Sequence, residues 1–137
     1  MMPSGNSNNP AIRKALQRAI DLHRSGRTPE AIDRLTQLIR RFPKSAAALG
    51  YLASVYFDQG DMKQATQHFR RALNVNPKSE RASLGLFHAL WEMGSLPEAV
   101  AEMQRFLSTC ESPEYDKLLH DLAAEGMLVP RPLAKAV

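Results

Sequence analysis

Four histidines, one cysteine and fourteen carboxylates are the side chains here that could support acid–base, nucleophilic or metal chemistry. His23, His68, His88 and His120 lie far apart, and no two share a helical turn, the spacing at which two imidazoles hold one metal. Cys110 has no His, Cys or Asp beside it, so a thiolate nucleophile would need a base from elsewhere in the fold. A lone Cys forms no internal bridge, and it is expected to be a small, partly buried free thiol near a helix end. Glu98 and Glu102 are spaced i, i+4 and are expected on an exposed helix face rather than as an acid/base pair. No glycine-rich phosphate loop and no strand pattern occurs. The expectation is a chain that is not an enzyme, with no catalytic residues, metal or cofactor.

What remains is recognition by charge and apolar contact. Residues 1–71 hold 12 basic and 5 acidic side chains, a balance of +7, whereas residues 72–137 hold 6 and 9, a balance of −3. A basic first half suits an acidic peptide, a nucleic acid or the acidic end of a neighbouring molecule; uneven decoration of a solvated surface is the plainer reading. Arg40-Arg41 and Arg70-Arg71, with Lys44 and Lys63, could meet phosphates. Reading bases would also need stacking or base-reading side chains on a repeated column, and none is present, which argues against nucleic acid.

The 137 residues suit one domain, and an apolar share of 44% with 23% charged is that of an ordinary globular chain. No apolar run reaches the roughly 20 residues of a membrane span. The start, Met1 to Pro10, has neither a basic nor an apolar stretch and does not read as a secretory signal. The expected compartment is the cytoplasm.

The elements that position these side chains are periodic. Gly26, Gly60 and Gly94 are 34 residues apart, and so are Ala31, Ala65 and Ala99. Leu22, Tyr56 and Leu90, then Leu35, Phe69 and Met103, and finally Pro43 and Pro77 keep the same interval. Within the middle unit Leu49, Leu52, Ala53 and Tyr56 fall on one helical face; Gly60 ends that helix. A second helix carries Ala65, Phe69, Ala72 and Leu73, and Pro77 stops it. Thr28-Pro29-Glu30 looks like an N-cap with proline in the first turn, and Ser95-Leu96-Pro97-Glu98 like a capping box. Each unit is therefore two antiparallel helices. The small alanines let the helix backbones approach closely. One such hairpin cannot bury its apolar side alone, so neighbours must stack.

This 34-residue helix–turn–helix resembles the tetratricopeptide repeat. The middle unit, 46–79, matches the family pattern at Leu52, Ala53, Tyr56, Gly60, Ala65, Phe69, Ala72 and Pro77, with Leu49 where Trp is common. Unit one, 12–45, departs at Arg18 and Leu38. Unit three, 80–113, departs at Phe87 and Phe106 and in having Pro113 two residues late. After it, Tyr115, Leu118, Leu119 and Leu122 form one face of a further helix, about 113–126, with Asp116, Lys117, His120 and Asp121 opposite, as in the capping helix of such arrays. The fold class is all-α: a solenoid of three hairpins plus a cap, spanning 11–128. Residues 1–10 and 129–137 are expected to be flexible ends, with Pro130-Arg131-Pro132 read as a frayed terminus rather than a ligand motif.

The resemblance implies a non-catalytic adaptor that holds an extended or helical partner segment in a concave groove lined by the first helices. The groove columns are Arg13, Leu16, Ile20 and His23; Ala47, Gly50, Ser54 and Phe57; and Arg81, Leu84, His88 and Trp91, with Arg24, Asp58 and Glu92 on the rim. Leu16, Ile20, Phe57, Leu84 and Trp91 would supply apolar contacts, and Arg13, Arg24 and Arg81 would meet acidic groups or backbone carbonyls. Trp91 suits core or groove equally. The family's clamp for chaperone-tail carboxylates would fall on Leu16, Ile20, Tyr51, Arg81 and Gly85, where only Arg81 could serve, so that clamp is absent. Three other readings stay open: a secretion-type chaperone, a nucleic-acid adaptor using the basic half, and a scaffold that associates with itself through a basic N-terminal and an acidic C-terminal end.

Overall fold

The structure is a computed structural model, and it describes residues 9–127 and Val129. The described residues form seven α-helices and no strand. These are α1 (Pro10–Arg24), α2 (Thr28–Arg41), α3 (Ala46–Asp58), α4 (Met62–Val75), α5 (Glu80–Glu92), α6 (Leu96–Leu107) and α7 (Pro113–Ala124). They pair as three hairpins, α1/α2, α3/α4 and α5/α6, followed by α7. The first helices α1, α3 and α5 lie side by side, while α2 lies on α3 and α4 on α5.

Turn chemistry sets the hairpins. At the end of α3 the Gly60 N–H donates to the Phe57 carbonyl at 2.9 Å and the Asp61 N–H to the Tyr56 carbonyl at 2.9 Å. That pair of bonds needs a left-handed residue, and Gly60 has φ +82°. The same pair recurs one repeat earlier at Gly26 and one later at Gly94, which is why those glycines keep a single period. Helix starts are set by serines the 34-residue columns did not single out. Ser45, Ser79 and Ser112 each accept a backbone N–H three residues on, at 3.1, 3.2 and 3.1 Å.

Four expectations change. Thr28 is the first residue of α2 rather than its cap; Arg27 holds the cap position, and the Thr28 hydroxyl meets His23 Nδ1 at 3.0 Å. Ser95 sits at the N-cap of α6 but makes no side-chain cap bond, and Glu98 pairs with Arg70 of the preceding hairpin at 3.1 Å. The first helix begins at Pro10, capped by Asn9, within the stretch read as a tail; Val129, also read as tail, packs on the core. The readings of residues 1–8 and 130–137, with Pro130-Arg131-Pro132, lie outside the described residues.

The fourth change is Glu102, which is buried, not exposed. Its carboxylate accepts from Ser83 Oγ at 2.6 Å and from Arg105 Nε and Nη2 at 2.8 and 2.7 Å. Ser83 has one proton and gives it to the carboxylate, so the Tyr115 hydroxyl, 2.7 Å away, donates to Ser83. Arg105 also donates to the Pro77 carbonyl at 3.2 Å. This network joins α5, α6, α7 and the α4–α5 connection. Fully satisfied buried polar groups of this kind specify one arrangement, because an unpaired member costs more than the bond itself contributes. Around it, the Phe87 ring is buried edge-on to Tyr115, 5.9 Å between centres, so the large residue in a small-residue column is accommodated by the capping helix.

Hairpins two and three approach each other closely at Gly85. A Cβ there would lie 2.3 Å from the Phe69 ring. Gly85→Ala should therefore destabilise by about 1–3 kcal/mol through overpacking. Adding Phe69→Leu should make Gly85→Ala less costly than it is alone, read by urea unfolding as non-additivity.

Burial pushes the Tyr115 phenol above its ordinary value near 10, and the nearby Glu102 carboxylate pushes the same way. The folded state then keeps a proton that the unfolded chain releases. Stability is full below pH about 10 and falls as pH rises beyond it. Tyr115→Phe should flatten that alkaline decline, and cost about 1–2 kcal/mol at neutral pH, in urea titrations over both ranges.

Candidate partner-binding groove

The side-by-side first helices and the connections between hairpins line an open cleft of about 840 Å³. Of the predicted groove columns, Arg13, Leu16 and Ile20 of α1, Ala47 and Gly50 of α3 and Arg81 of α5 line it. Leu16 is buried, at 6% exposure, so it forms floor rather than an offered contact; Ile20 is half-buried, and Arg13 and Arg81 are exposed. A continuous smaller cavity of about 160 Å³ shares Ile20, Tyr51 and Arg81, and adds His23, Arg24, Ser54 and Asp58.

Tyr51 is the residue that the predicted stripe omitted. It lines both cavities, and the Arg81 guanidinium lies 4.4 Å from its ring centre. This cation–π contact joins α5 to α3 across the groove and holds Arg81 over the floor. Its sequence signal is faint, because Tyr51 sits one position beyond the Gly50 column. Lys44 and Asn76 come from the connections between hairpins and Val75 from the last position of α4, none of which a stripe on the first helices can reach. Val75 is 38% exposed, one of two large exposed hydrophobics among the described residues.

At the rim, His23 Nε2 lies 2.8 Å from Asp58 Oδ2 and Nδ1 lies 3.0 Å from Thr28 Oγ1. A carboxylate only accepts, so Nε2 carries the proton in this bond. His23 thereby ties hairpin one to hairpin two. Ser54 donates to the Gly50 carbonyl at 3.0 Å, which turns its hydroxyl to its own helix.

Phe57, Leu84, His88 and Trp91 line neither cavity. Trp91 is half-buried and stacked on Phe87, 5.5 Å between centres at 28°; His88 is exposed and edge-on to the same ring. Phe57 and Leu84 are half-buried against the core, and Glu92 is exposed. The predicted stripe is thus divided, with a basic cavity over α1 and α3 and an aromatic patch at the end of α5.

The larger cavity has three cations, Arg13, Lys44 and Arg81, and no carboxylate in its lining. That arrangement can hold carboxylates or backbone carbonyls. Among the described residues no group of three His, Cys, Asp or Glu could hold a metal, and no helix is long and apolar enough to cross a membrane. Cys110 is half-buried beyond the end of α6, beside Thr109 Oγ1 at 3.7 Å.

A stack of helical hairpins with an open cleft along its first helices defines a repeat solenoid. Two family models, both described as tetratricopeptide repeat, match residues 16–83 and 56–124, and the chain belongs to that family. Its fold is that of a protein–protein interaction module. The chain is 30% identical over 88 residues to the probable UDP-N-acetylglucosamine–peptide N-acetylglucosaminyltransferase SPINDLY of Hordeum vulgare, covering 64% of this chain and 9% of that protein. The fold is similar to the first tetratricopeptide domain of Spaghetti (RPAP3) bound to the HSP90 peptide SRMEEVD, with TM-score 0.70, 20% identity, and 81% and 91% of the two chains covered. It is also similar to the Yersinia enterocolitica type III secretion chaperone SycD in complex with a peptide of the translocator YopD, with TM-score 0.71, 16% identity, and 87% and 92% covered.

Phe69 is 2% exposed, whereas Trp91 keeps part of its ring in solvent. Phe69→Ala should cost about 3–5 kcal/mol and Trp91→Ala clearly less, compared by thermal and urea unfolding.

Proposed function

We propose that this chain is a non-catalytic adaptor whose concave groove holds an acidic segment of a partner protein. The observation that carries the reading is the 840 Å³ cavity, with Arg13, Lys44 and Arg81 around an apolar and aromatic floor and no opposing carboxylate in its lining. Three unopposed cations over low-dielectric walls concentrate negatively charged groups and raise the on-rate of an acidic chain. Ile20 and Tyr51 then supply contacts that slow its release. Both similar solved structures hold peptides, which supports a peptide as the kind of ligand.

The groove differs from one built to grip a terminal carboxylate. Of Leu16, Ile20, Tyr51, Arg81 and Gly85 only Arg81 is a cation, and Gly85 has the Phe69 ring against it, so no side chain fits there. An internal acidic stretch with apolar anchors suits the cavity better than a chaperone tail. A secretion-type chaperone would use the same groove. The match to the barley transferase spans only 9% of that protein.

Fluorescence anisotropy with short labelled peptides tests this. A Glu/Leu-rich peptide should bind, more weakly as salt rises, while a Lys/Leu-rich peptide of equal length should not. Arg13→Glu with Arg81→Glu should weaken the acidic peptide at least about tenfold. Equal affinity for both peptides, or tighter binding of a random oligonucleotide than of the acidic peptide, would overturn the reading.

A further inference from the structure

Among the described residues, the first hairpin leaves open a surface that the later hairpins have covered. Lys14, Ala15 and Arg18 of α1 stand one repeat before Ala48, Leu49 and Leu52 of α3, and two before Ala82, Ser83 and Leu86 of α5. Those later residues are all buried, because the second helix of the preceding hairpin lies on them. At the first hairpin no helix precedes among the described residues, and a cleft of about 420 Å³ runs between α1 and α2. Lys14, Arg18, Arg34 and Arg41 surround it, and Leu38 lies in its floor.

These four cations make no ion pair among the described residues. The carboxylates of α1 and α2 are engaged elsewhere: Asp21 accepts from Gln17, Glu30 pairs with Arg27, and Asp33 accepts from Gln37. The cleft therefore presents uncompensated positive charge around an apolar floor.

The other end of the solenoid carries the complement. On α2, Arg34, Leu38 and Arg41 are spaced 4 and 3, one helical face. On α7, Glu114, Leu118 and Asp121 have the same spacing with the opposite charge, and Glu125 extends the stripe. Glu114, Asp121 and Glu125 are exposed and Leu118 is half-buried; Lys117 is the one Lys or Arg on α7.

We propose that the chain associates with itself head to tail, α7 of one copy lying in the open α1–α2 cleft of the next. Carboxylates seven residues apart then face guanidiniums seven residues apart, around Leu118 and Leu38. The second copy's helix takes the place that α2 and α4 take on the later hairpins. Because the two surfaces differ, the contact does not close on itself as a two-fold dimer would, and it propagates into linear chains. This inference is independent of the groove reading.

Sedimentation velocity over a concentration series tests it. At low salt the sedimentation coefficient should rise with concentration, and the rise should vanish near 1 M salt, where screening reaches about 3 Å. Arg34→Glu with Arg41→Glu gives a chain acidic at both ends, and Glu114→Arg with Asp121→Arg one basic at both ends. Each alone should stay monomeric, with circular dichroism confirming the fold. An equimolar mixture should assemble again, because every contact between unlike variants is once more oppositely charged. Arg13→Glu with Arg81→Glu should leave assembly unchanged. A wild-type chain that stays monomeric throughout, reversed variants that assemble as the wild type does, or a mixture that remains monomeric would each overturn the proposal, as would loss of assembly on changing Arg13 and Arg81.

Discussion

The packing of each hairpin's second helix on the first helix of the next carries the rest of this structure. A two-helix hairpin has an apolar side too wide for its own two helices to cover, and only a neighbour hides it. At the junction of hairpins two and three the Phe69 ring rests on the bare backbone of Gly85, and Ala65, Ala72 and Ala82 are buried around it. Such close approach sets how the first helices stand beside one another. That spacing in turn decides the width of the groove and whether Arg81 of α5 reaches Tyr51 of α3.

A stack of this kind has two ends, and the chain treats them differently. At the C-terminal end α7 closes the last hairpin, and the Ser83–Glu102–Tyr115–Arg105 network locks it to α5 and α6. Burying a carboxylate is costly unless its partners are all in place, and here the bidentate guanidinium and the serine hydroxyl supply them. The outer side of α7 is left acidic. At the N-terminal end the corresponding cleft is ringed with Lys14, Arg18, Arg34 and Arg41 rather than apolar groups. Cations there keep an apolar surface hydrated, and on the proposed reading they also make it selective for negative charge.

The groove follows the same logic. Its cations come from three separate places: Arg13 on α1, Lys44 in the connection to α3, and Arg81 on α5. No short segment contains them together, and the cavity exists only because the three first helices are held in one layer. The aromatic residues at the far end, Phe87, Trp91 and Tyr115, stack with one another instead of lining it. On the proposed reading, recognition in the cavity combines charge with a shallow floor, while the aromatic cluster mainly serves the cap.

By itself the sequence determined the hairpins. The 34-residue period, the glycines that must take a positive φ after each first helix, and the alanine columns are local demands, repeated until they show above the noise. It also placed Tyr115 and Leu122 correctly on the inner side of the last helix. Helix periodicity says which side chains share a face but not which neighbour that face meets. Glu102, i+4 from the exposed Glu98, is buried because Ser83, 19 residues before it, meets its carboxylate, and Tyr115, 32 residues beyond Ser83, bonds Ser83 in turn. Thr28 reads as a cap in one dimension, yet its hydroxyl is taken by His23. Leu16 stands in the groove column but lies deep enough to be floor, and Tyr51 enters the site because Arg81 crosses from α5. Only the tertiary structure decided these, since each depends on how hairpins translate and rotate against one another, and side-chain contacts across that interface leave no period in the chain.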